Sequence, residues 1–489
     1  MRVLLALAPL LAIVVLMLGC SWSAARAGAV TSVGALAIGL GVFGRHDTAT
    51  VPAAAGIAAE AGFITLTIVG IIGPALGLHL MQLHTGATEH VRQILVSLHP
   101  DPRVGAVAVA WFFTLFLEGA AGFGTPIALA APLLVTAGVP PVTALVAALA
   151  GHASGVAFGA VGTPVVAQSS VVGIPSADLA AATVWFPVVV GWMLLAAVIM
   201  ALRDGRGGLW AWGLGAGVAF FVPFAAIAMV LGPELATLGG AVLGFGAWAL
   251  VVRRHRGATH VLSPGASARA VAPYVWLIAA VLVARLWPPL RSVVERSTLE
   301  WNVDGFGGRV RILDHPALLL AGAFVVAAVV QRSSVGTAWS RAREATIRVL
   351  PVAAAVFVMV LIARTMTQTG MTVELGAAAG GAGSMWPWFA PAVGALGTFV
   401  TGSATASNLL FSELQLEAAT RAALPGVTVL GAQGFGAAVG NIACPHNIIA
   451  GAATVGVQGA EAQVMRRTVP LAMACVVVAG AVAMVFVRW

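Results

Sequence analysis

The stretch Phe116–Pro126 reads Phe-Leu-Glu-Gly-Ala-Ala-Gly-Phe-Gly-Thr-Pro, which sets a carboxylate, glycines and a proline inside otherwise hydrocarbon-like sequence. A carboxyl group at membrane depth is expensive and, where found, marks a functional site by default. Glu118 is therefore the leading candidate to take up and release a proton. Its structural alternative is a helix-end carboxylate that accepts hydrogen bonds from glycine N–H groups. His152 lies in the apolar run Ala144–Phe158 and is the second proton-coupling candidate, because an unperturbed imidazole titrates near neutrality. The competing role for His152, and equally for His446, is a packed core histidine.

A ligand at such a break meets exposed backbone N–H groups, which with the helix dipole favour anions. Gly119, Gly122, Gly124, Gly162 and Gly402 let a small ligand approach that backbone. Thr125, Thr163, Ser403, Thr405, Ser407, Asn408 and Asn441, with Asn447 beside them, add neutral hydrogen bonds. A lining so poor in fixed charge suits a small hydroxylated anion. The alternative for each hydroxyl is that it caps or packs a helix, as is common in membranes. Glu60 and Glu413 are weaker candidates for ion coupling. Arg364 either attracts a carboxylate or snorkels to the interface. Gln415 is either a binding amide or a helix-end residue.

The elements that must position these groups are transmembrane helices. Apolar residues make up 60% of the chain, charged residues 9%, and the mean hydropathy is +1.00. A soluble domain carries about 25% charged residues, so this chain is read as an all-α, polytopic membrane protein in contact with lipid. Its length corresponds to roughly 12 to 14 spans of about 20 residues. The net charge of +8 sits in short loops, where it sets orientation and is no sign of nucleic acid. Cys20, Cys444 and Cys475 are far apart and have neither disulfide nor zinc spacing. Met1-Arg2 with the apolar residues after it resembles a signal peptide, and Leu18-Gly19-Cys20 a lipoprotein cleavage site. An uncleaved first helix fits better before so many later spans.

Three basic loops alternate with pairs of apolar segments and can share one face. They hold Arg203 and Arg206; Arg253, Arg254 and Arg256; and Arg332, Arg341, Arg343 and Arg348. The positive-inside tendency makes that face cytoplasmic. The loop at about 288–315 is then external, and its Arg291, Arg296, Arg309 and Arg311 run against the rule, beside Glu295, Glu300, Asp304 and Asp314.

The breaks recur in pairs. Gly159-Ala160-Val161-Gly162-Thr163-Pro164 follows the first one, and Thr401–Asn408 and Gly440–Asn447 interrupt the C-terminal half. The same 38 residues separate Pro126 from Pro164 and Gly402 from Gly440. Paired interruptions at matching places in two halves point to a transporter site at a repeat interface. The expected organisation is an N-terminal half at 1–252, connecting segments at 253–348 and a C-terminal half at 349–489. There is no Gly-x-x-x-x-Gly-Lys-Ser/Thr loop and no lysine to complete one, which favours an ion gradient over ATP. Neither His-Glu-x-x-His nor Gly-x-Ser-x-Gly occurs, so no catalytic residue, metal or cofactor is expected.

On these residues the chain resembles the bacterial L-lactate permease family. The likeness runs through Glu118–Gly124 with Pro126, Val156–Gly162 with Pro164, and Gly232–Leu235. It resumes at Phe399–Ser403 with Ser407-Asn408, Leu410-Phe411 and Leu414-Gln415. The resemblance covers nearly the whole chain. It implies an inner-membrane symporter that moves L-lactate, glycolate or another small 2-hydroxy monocarboxylate together with protons. It also implies inverted repeats with discontinuous helices and an elevator-type movement; a homodimer is left open. The alternatives are another organic anion with proton or sodium coupling, a passive anion channel, or an intramembrane enzyme.

The chain departs from the family pattern in three places. Ala404 stands where the pattern has aspartate, Asn441 where it has lysine, and His152 where it has a small polar residue. Either an acid and a base were lost together as a charge pair, or the lysine was the substrate's counter-ion and this chain has another substrate or uses Arg364 or His446 instead.

Overall fold

The computed structural model describes residues 1–20, 22–44, 50–90, 99, 101–122, 124–203, 208–256, 264–287, 289, 293–294, 296–313, 315–457 and 460–488. Phe123, Arg206, Arg291, Glu295 and Asp314 fall outside this set.

Hydrocarbon offers no hydrogen bonds, so a spanning backbone must satisfy its own polar groups, and the helix does so locally. Among the described residues nine helices are long and apolar enough to cross a membrane. A further pair, Pro141–Ala153 with Val156–Val172, passes as one span bent by 56°. Four shorter apolar helices, Arg2–Met17, Thr125–Thr136, Ala268–Val281 and Pro316–Val330, take up much of the remaining apolar sequence. The expected number of roughly 12 to 14 spans is thus divided between full-length, bent and short helices.

Both halves contain the same order of elements. In the first, Thr114–Ala120 breaks into Thr125–Thr136, and Pro141–Ala153 breaks into Gly159–Val172. In the second, Trp386–Thr401 breaks into Ala404–Arg421, and Gly426–Gly440 breaks into Pro445–Thr454. Proline opens several of these helices, at Pro126, Pro141 and Pro445, where its missing N–H costs nothing. Ahead of the first break, Asp101 caps helix Pro102–Val107 by accepting from the Arg103 N–H at 2.9 Å. The hydrogen-bonded Arg103 guanidinium holds the Asp101 carboxyl below the usual carboxylate range.

The halves interlock through polar contacts between residues far apart in sequence. Gln168 donates to Ser412 Oγ at 3.0 Å and to the Leu430 carbonyl at 3.1 Å. Asn408 Nδ2 donates to the Pro164 carbonyl at 3.1 Å. Within the second half, Gly394 and Gly436 let helices Trp386–Thr401 and Gly426–Gly440 meet backbone to backbone. A Cβ on either would strike the Gln433 or the Pro391 carbonyl. Small residues at helix crossings are the general device for close packing in membranes.

One element departs from the all-helical expectation. Thr298–Val303 and Phe306–Arg311 form an antiparallel hairpin around Asp304-Gly305, both with positive φ (51° and 77°). Asp-Gly suits the tight two-residue turn whose twist matches the strands. The hairpin docks on helix Thr50–His84. Phe306 is buried against Gly56, Trp301 meets Phe63 edge-on at 6.1 Å, and the Gly307 N–H donates to Glu60 Oε1 at 2.9 Å. Two of the arginines of the loop expected to be external, Arg309 and Arg311, lie on the second strand, and Arg309 faces Glu300 at 3.7 Å.

Candidate functional site

Residues of all four breaks line one small cavity of about 50 Å³. From the first half it is lined by Glu118, Gly122, Gly124, His152, Val156, Gly159, Ala160, Thr163 and Pro164. From the second half come Gly402, Ser403, Ala404, Thr405 and Asn441.

At the first break, helix Thr114–Ala120 ends at Ala121, and Gly122 and Gly124 turn left-handed with φ of 59° and 80°. The Thr125 N–H and hydroxyl both donate to the Gly122 carbonyl, at 3.0 and 2.8 Å, which closes the turn before the next helix starts. Glu118 is buried just above this turn.

The second break is more strained. His152 ends helix Pro141–Ala153, and a short 3-10 turn follows at Val156–Phe158. Ala160, Val161 and Gly162 are then all left-handed, with φ of 43°, 55° and 78°. For the two residues with a Cβ this costs about 1–2 kcal/mol each. The surroundings enforce it. Thr163 Oγ1 donates to the Ala160 carbonyl at 2.5 Å, Gly162 abuts the Pro233 backbone, and Gly159 abuts the Glu118 carboxyl.

In the second half, Gly402 ends its helix left-handed at φ 75°, and the Ser403 hydroxyl caps the next by accepting from the Ala406 N–H at 3.2 Å. At the fourth break, Asn447 Nδ2 donates to Asn441 Oδ1 at 2.8 Å and so fixes the amide that borders the cavity.

Among the described residues Glu118 is the one carboxylate of the lining, and no arginine contributes to it. Positive potential comes instead from backbone. Gly124 precedes helix Thr125–Thr136, Thr163 lies where its helix resumes after the left-handed turn, and Ser403 precedes helix Ala404–Arg421. The positive end of each helix dipole therefore lies beside the cavity, where an anion is favoured.

Of the residues expected in the substrate set, Gly122, Gly124, Thr163, Gly402, Ser403, Thr405 and Asn441 line the cavity, together with Glu118 and His152. Five others are placed elsewhere. Gly119 packs against helix Ala236–Arg256, where a Cβ would lie 2.5 Å from the Leu238 nitrogen. Thr125 and Gly162 shape the two turns. Ser407 donates to the Gly394 carbonyl at 2.7 Å, and Asn408 ties the two halves together. Val156, Gly159, Ala160, Pro164 and Ala404 border the cavity without having been in the expected site set. The signal for Gly159 was present, as the first glycine of the second break.

The remaining candidates also separate. Arg364 does not snorkel. It is largely buried, with Nε 3.0 Å from Glu60 and a terminal nitrogen 2.6 Å from Glu413. Gln368 donates to both Glu60 oxygens, at 3.1 and 3.0 Å, and Thr367 donates to Glu413. Gln415 is a buried structural amide that bonds Trp386, Ala390 and Gln433. His446 is exposed beside Gly402. All three departures from the resembled pattern, His152, Ala404 and Asn441, lie in this one lining.

The family model described as L-lactate permease matches residues 2–308 and 306–488. The L-lactate permease of Bacillus subtilis is 28% identical over 471 residues, covering 83% of this chain and 82% of that protein. The glycolate permease GlcA of Escherichia coli K12 is 29% identical over 471 residues, covering 84% and 83%. Among solved structures, the YdaH transporter of Alcanivorax borkumensis, described as having an unusual topology, superposes with a TM-score of 0.51. It is 16% identical, with 88% of this chain and 87% of that chain covered. MtrF of Neisseria gonorrhoeae gives a TM-score of 0.50 at 15% identity, covering 90% and 83%. These two likenesses concern the fold alone.

Proposed function

The chain belongs to the L-lactate permease family, and from that premise we propose that it imports L-lactate or a related small 2-hydroxy monocarboxylate across the bacterial plasma membrane by proton symport. The observation that supports this most is the convergence of four helix breaks, two from each half, on one cavity with Glu118 as its carboxylate.

The substrate carboxylate binds at the N-terminal ends of the broken helices, with the hydroxyls of Ser403 and Thr405 and the Asn441 amide around it. Thr163 lies at the same wall, with its own hydroxyl hydrogen committed to Ala160. Glu118 takes a proton as the anion binds, so the loaded cavity gains no net charge. A neutral load lowers the cost of crossing hydrocarbon, which is high for a lone charge. His152 is the second titratable group of this lining. The halves at 1–252 and 349–489 act as inverted repeats around the site, joined by 253–348, and alternate its exposure by an elevator-type displacement.

The test is uptake of radiolabelled L-lactate into proteoliposomes, with and without an inward proton gradient, for the wild type and Glu118→Gln. Gradient-driven accumulation above equilibrium in the wild type, with only equilibrating exchange in Glu118→Gln, is the expected result. Accumulation that ignores the proton gradient, or survives Glu118→Gln intact, refutes the coupling. If lactate does not enter while another organic anion does, the substrate assignment is wrong and the site reading stands.

A further inference from the structure

We propose that His152 reads the 2-hydroxyl of the substrate through Nε2, and thereby makes the cavity select 2-hydroxy acids over plain monocarboxylates of similar size; this rests on the monocarboxylate reading above.

The argument begins with the ring's other nitrogen. His152 Nδ1 lies 3.1 Å from the Ala148 carbonyl, one helical turn earlier. A carbonyl oxygen only accepts, so Nδ1 carries the hydrogen, and in a neutral imidazole Nε2 is then a bare acceptor. His152 is 2% exposed and borders the cavity, and Nε2 is the nitrogen left to serve it.

The rest of the lining carries donors, the hydroxyls of Ser403 and Thr405 and the Asn441 amide, beside helix starts whose dipoles favour an anion. Donors suit a carboxylate. An alcohol hydroxyl that must give up its own hydrogen needs an acceptor; the lining hydroxyls and a protonated Glu118 can donate as well as accept, whereas His152 Nε2 can only accept. Asn441 Oδ1, which also only accepts, already receives the Asn447 amide at 2.8 Å, so Nε2 is the lining acceptor that the substrate's hydroxyl would satisfy. A substrate without the hydroxyl would leave that buried acceptor unpaired. A site built around a substrate hydroxyl rejects the analogue that lacks it far more strongly than a pocket rejects a missing methylene.

The experiment is competition against radiolabelled L-lactate uptake in proteoliposomes by unlabelled lactate, propionate and 2-methoxypropionate. The last of these keeps the oxygen but has no hydrogen to donate. Wild type, His152→Leu and His152→Gln are compared. In the wild type, propionate and 2-methoxypropionate are both expected to compete at least about tenfold less well than lactate. His152→Leu is expected to bring the three within about twofold of one another by weakening lactate. His152→Gln, whose amide oxygen can accept, retains part of the preference.

Wild-type uptake in which propionate or 2-methoxypropionate competes as well as lactate overturns the hydroxyl reading while leaving a monocarboxylate transporter. That measurement needs no variant to fold. A His152→Leu protein that keeps the full preference overturns the assignment to this residue. Absence of any lactate uptake by a wild type that moves another anion overturns the proposed substrate instead, and this inference with it.

Discussion

Gly159→Ala offers a sharp test of whether the position of the Glu118 carboxyl matters, because the substitution reaches that group without touching it chemically. A Cβ at residue 159 would lie 3.1 Å from the Glu118 carboxyl carbon and 3.4 Å from Cγ, with Oε1 closer still. Non-bonded contacts of this kind become comfortable only at about 3.2–4.0 Å, so Oε1, the nearest atom, must recede by more than about 1 Å. The backbone accepts the change: Gly159 has φ −66° and ψ 161°, an extended conformation open to alanine. The obstructing atoms are the end of a side chain that can swing away, so the overpacking cost stays within about 1–3 kcal/mol. Misplacing a reacting group by about 1 Å can lower its rate contribution about a hundredfold. Gradient-driven lactate accumulation is therefore expected to fall by about ten- to a hundredfold while the purified protein still elutes as a single species. Gly119→Ala is the contrast. Its Cβ meets the backbone nitrogen of Leu238, which cannot swing aside, so the loss there is of folded protein. A Gly159→Ala transporter that accumulates lactate like the wild type would refute the claim that the carboxyl's position governs coupling.

Ser407→Ala removes the bond to the Gly394 carbonyl and the acceptor of the buried Gln433 amide, 3.4 Å away, and a buried group left without its partner costs about 1–3 kcal/mol. Thermal unfolding in detergent should show this loss, whereas the KM for lactate should stay within about twofold because Ser407 does not line the cavity; a tenfold rise in KM would return Ser407 to the binding set. Arg364→Met leaves Glu60 and Glu413 buried without their shared cation, and breaking such a pair costs about 3–5 kcal/mol. The same assay on Arg364→Met and on Arg364→Met with Glu413→Gln should show a large loss and then a partial recovery; equal stability in the two would exclude the ion triad as the cause.

What the sequence determined by itself was the chemistry that acts over short range. Long apolar runs had to become helices because hydrocarbon leaves the backbone no other partner. Gly122, Gly124, Gly162 and Gly402 marked the breaks because a left-handed residue without a Cβ avoids a steric penalty, and φ is positive at all four. Glu118 stood out because a carboxylate in such a run needs a reason. The Asp304-Gly305 turn was equally local, and its hairpin was legible there in principle.

Which polar side chain faces the cavity was decided only by tertiary structure. Ser403, Thr405, Ser407 and Asn408 occupy neighbouring positions at one helix start and are alike in chemistry, yet the first two border the cavity while the others face Gly394 and Pro164. Asn408 and Pro164 are 244 residues apart, so no local pattern could announce that bond. Arg364 likewise read as an interfacial cation until Glu60 and Glu413, on two other helices, were folded against it. A helix's break is fixed by its own residues; the direction each side chain serves is fixed by the helices it packs against.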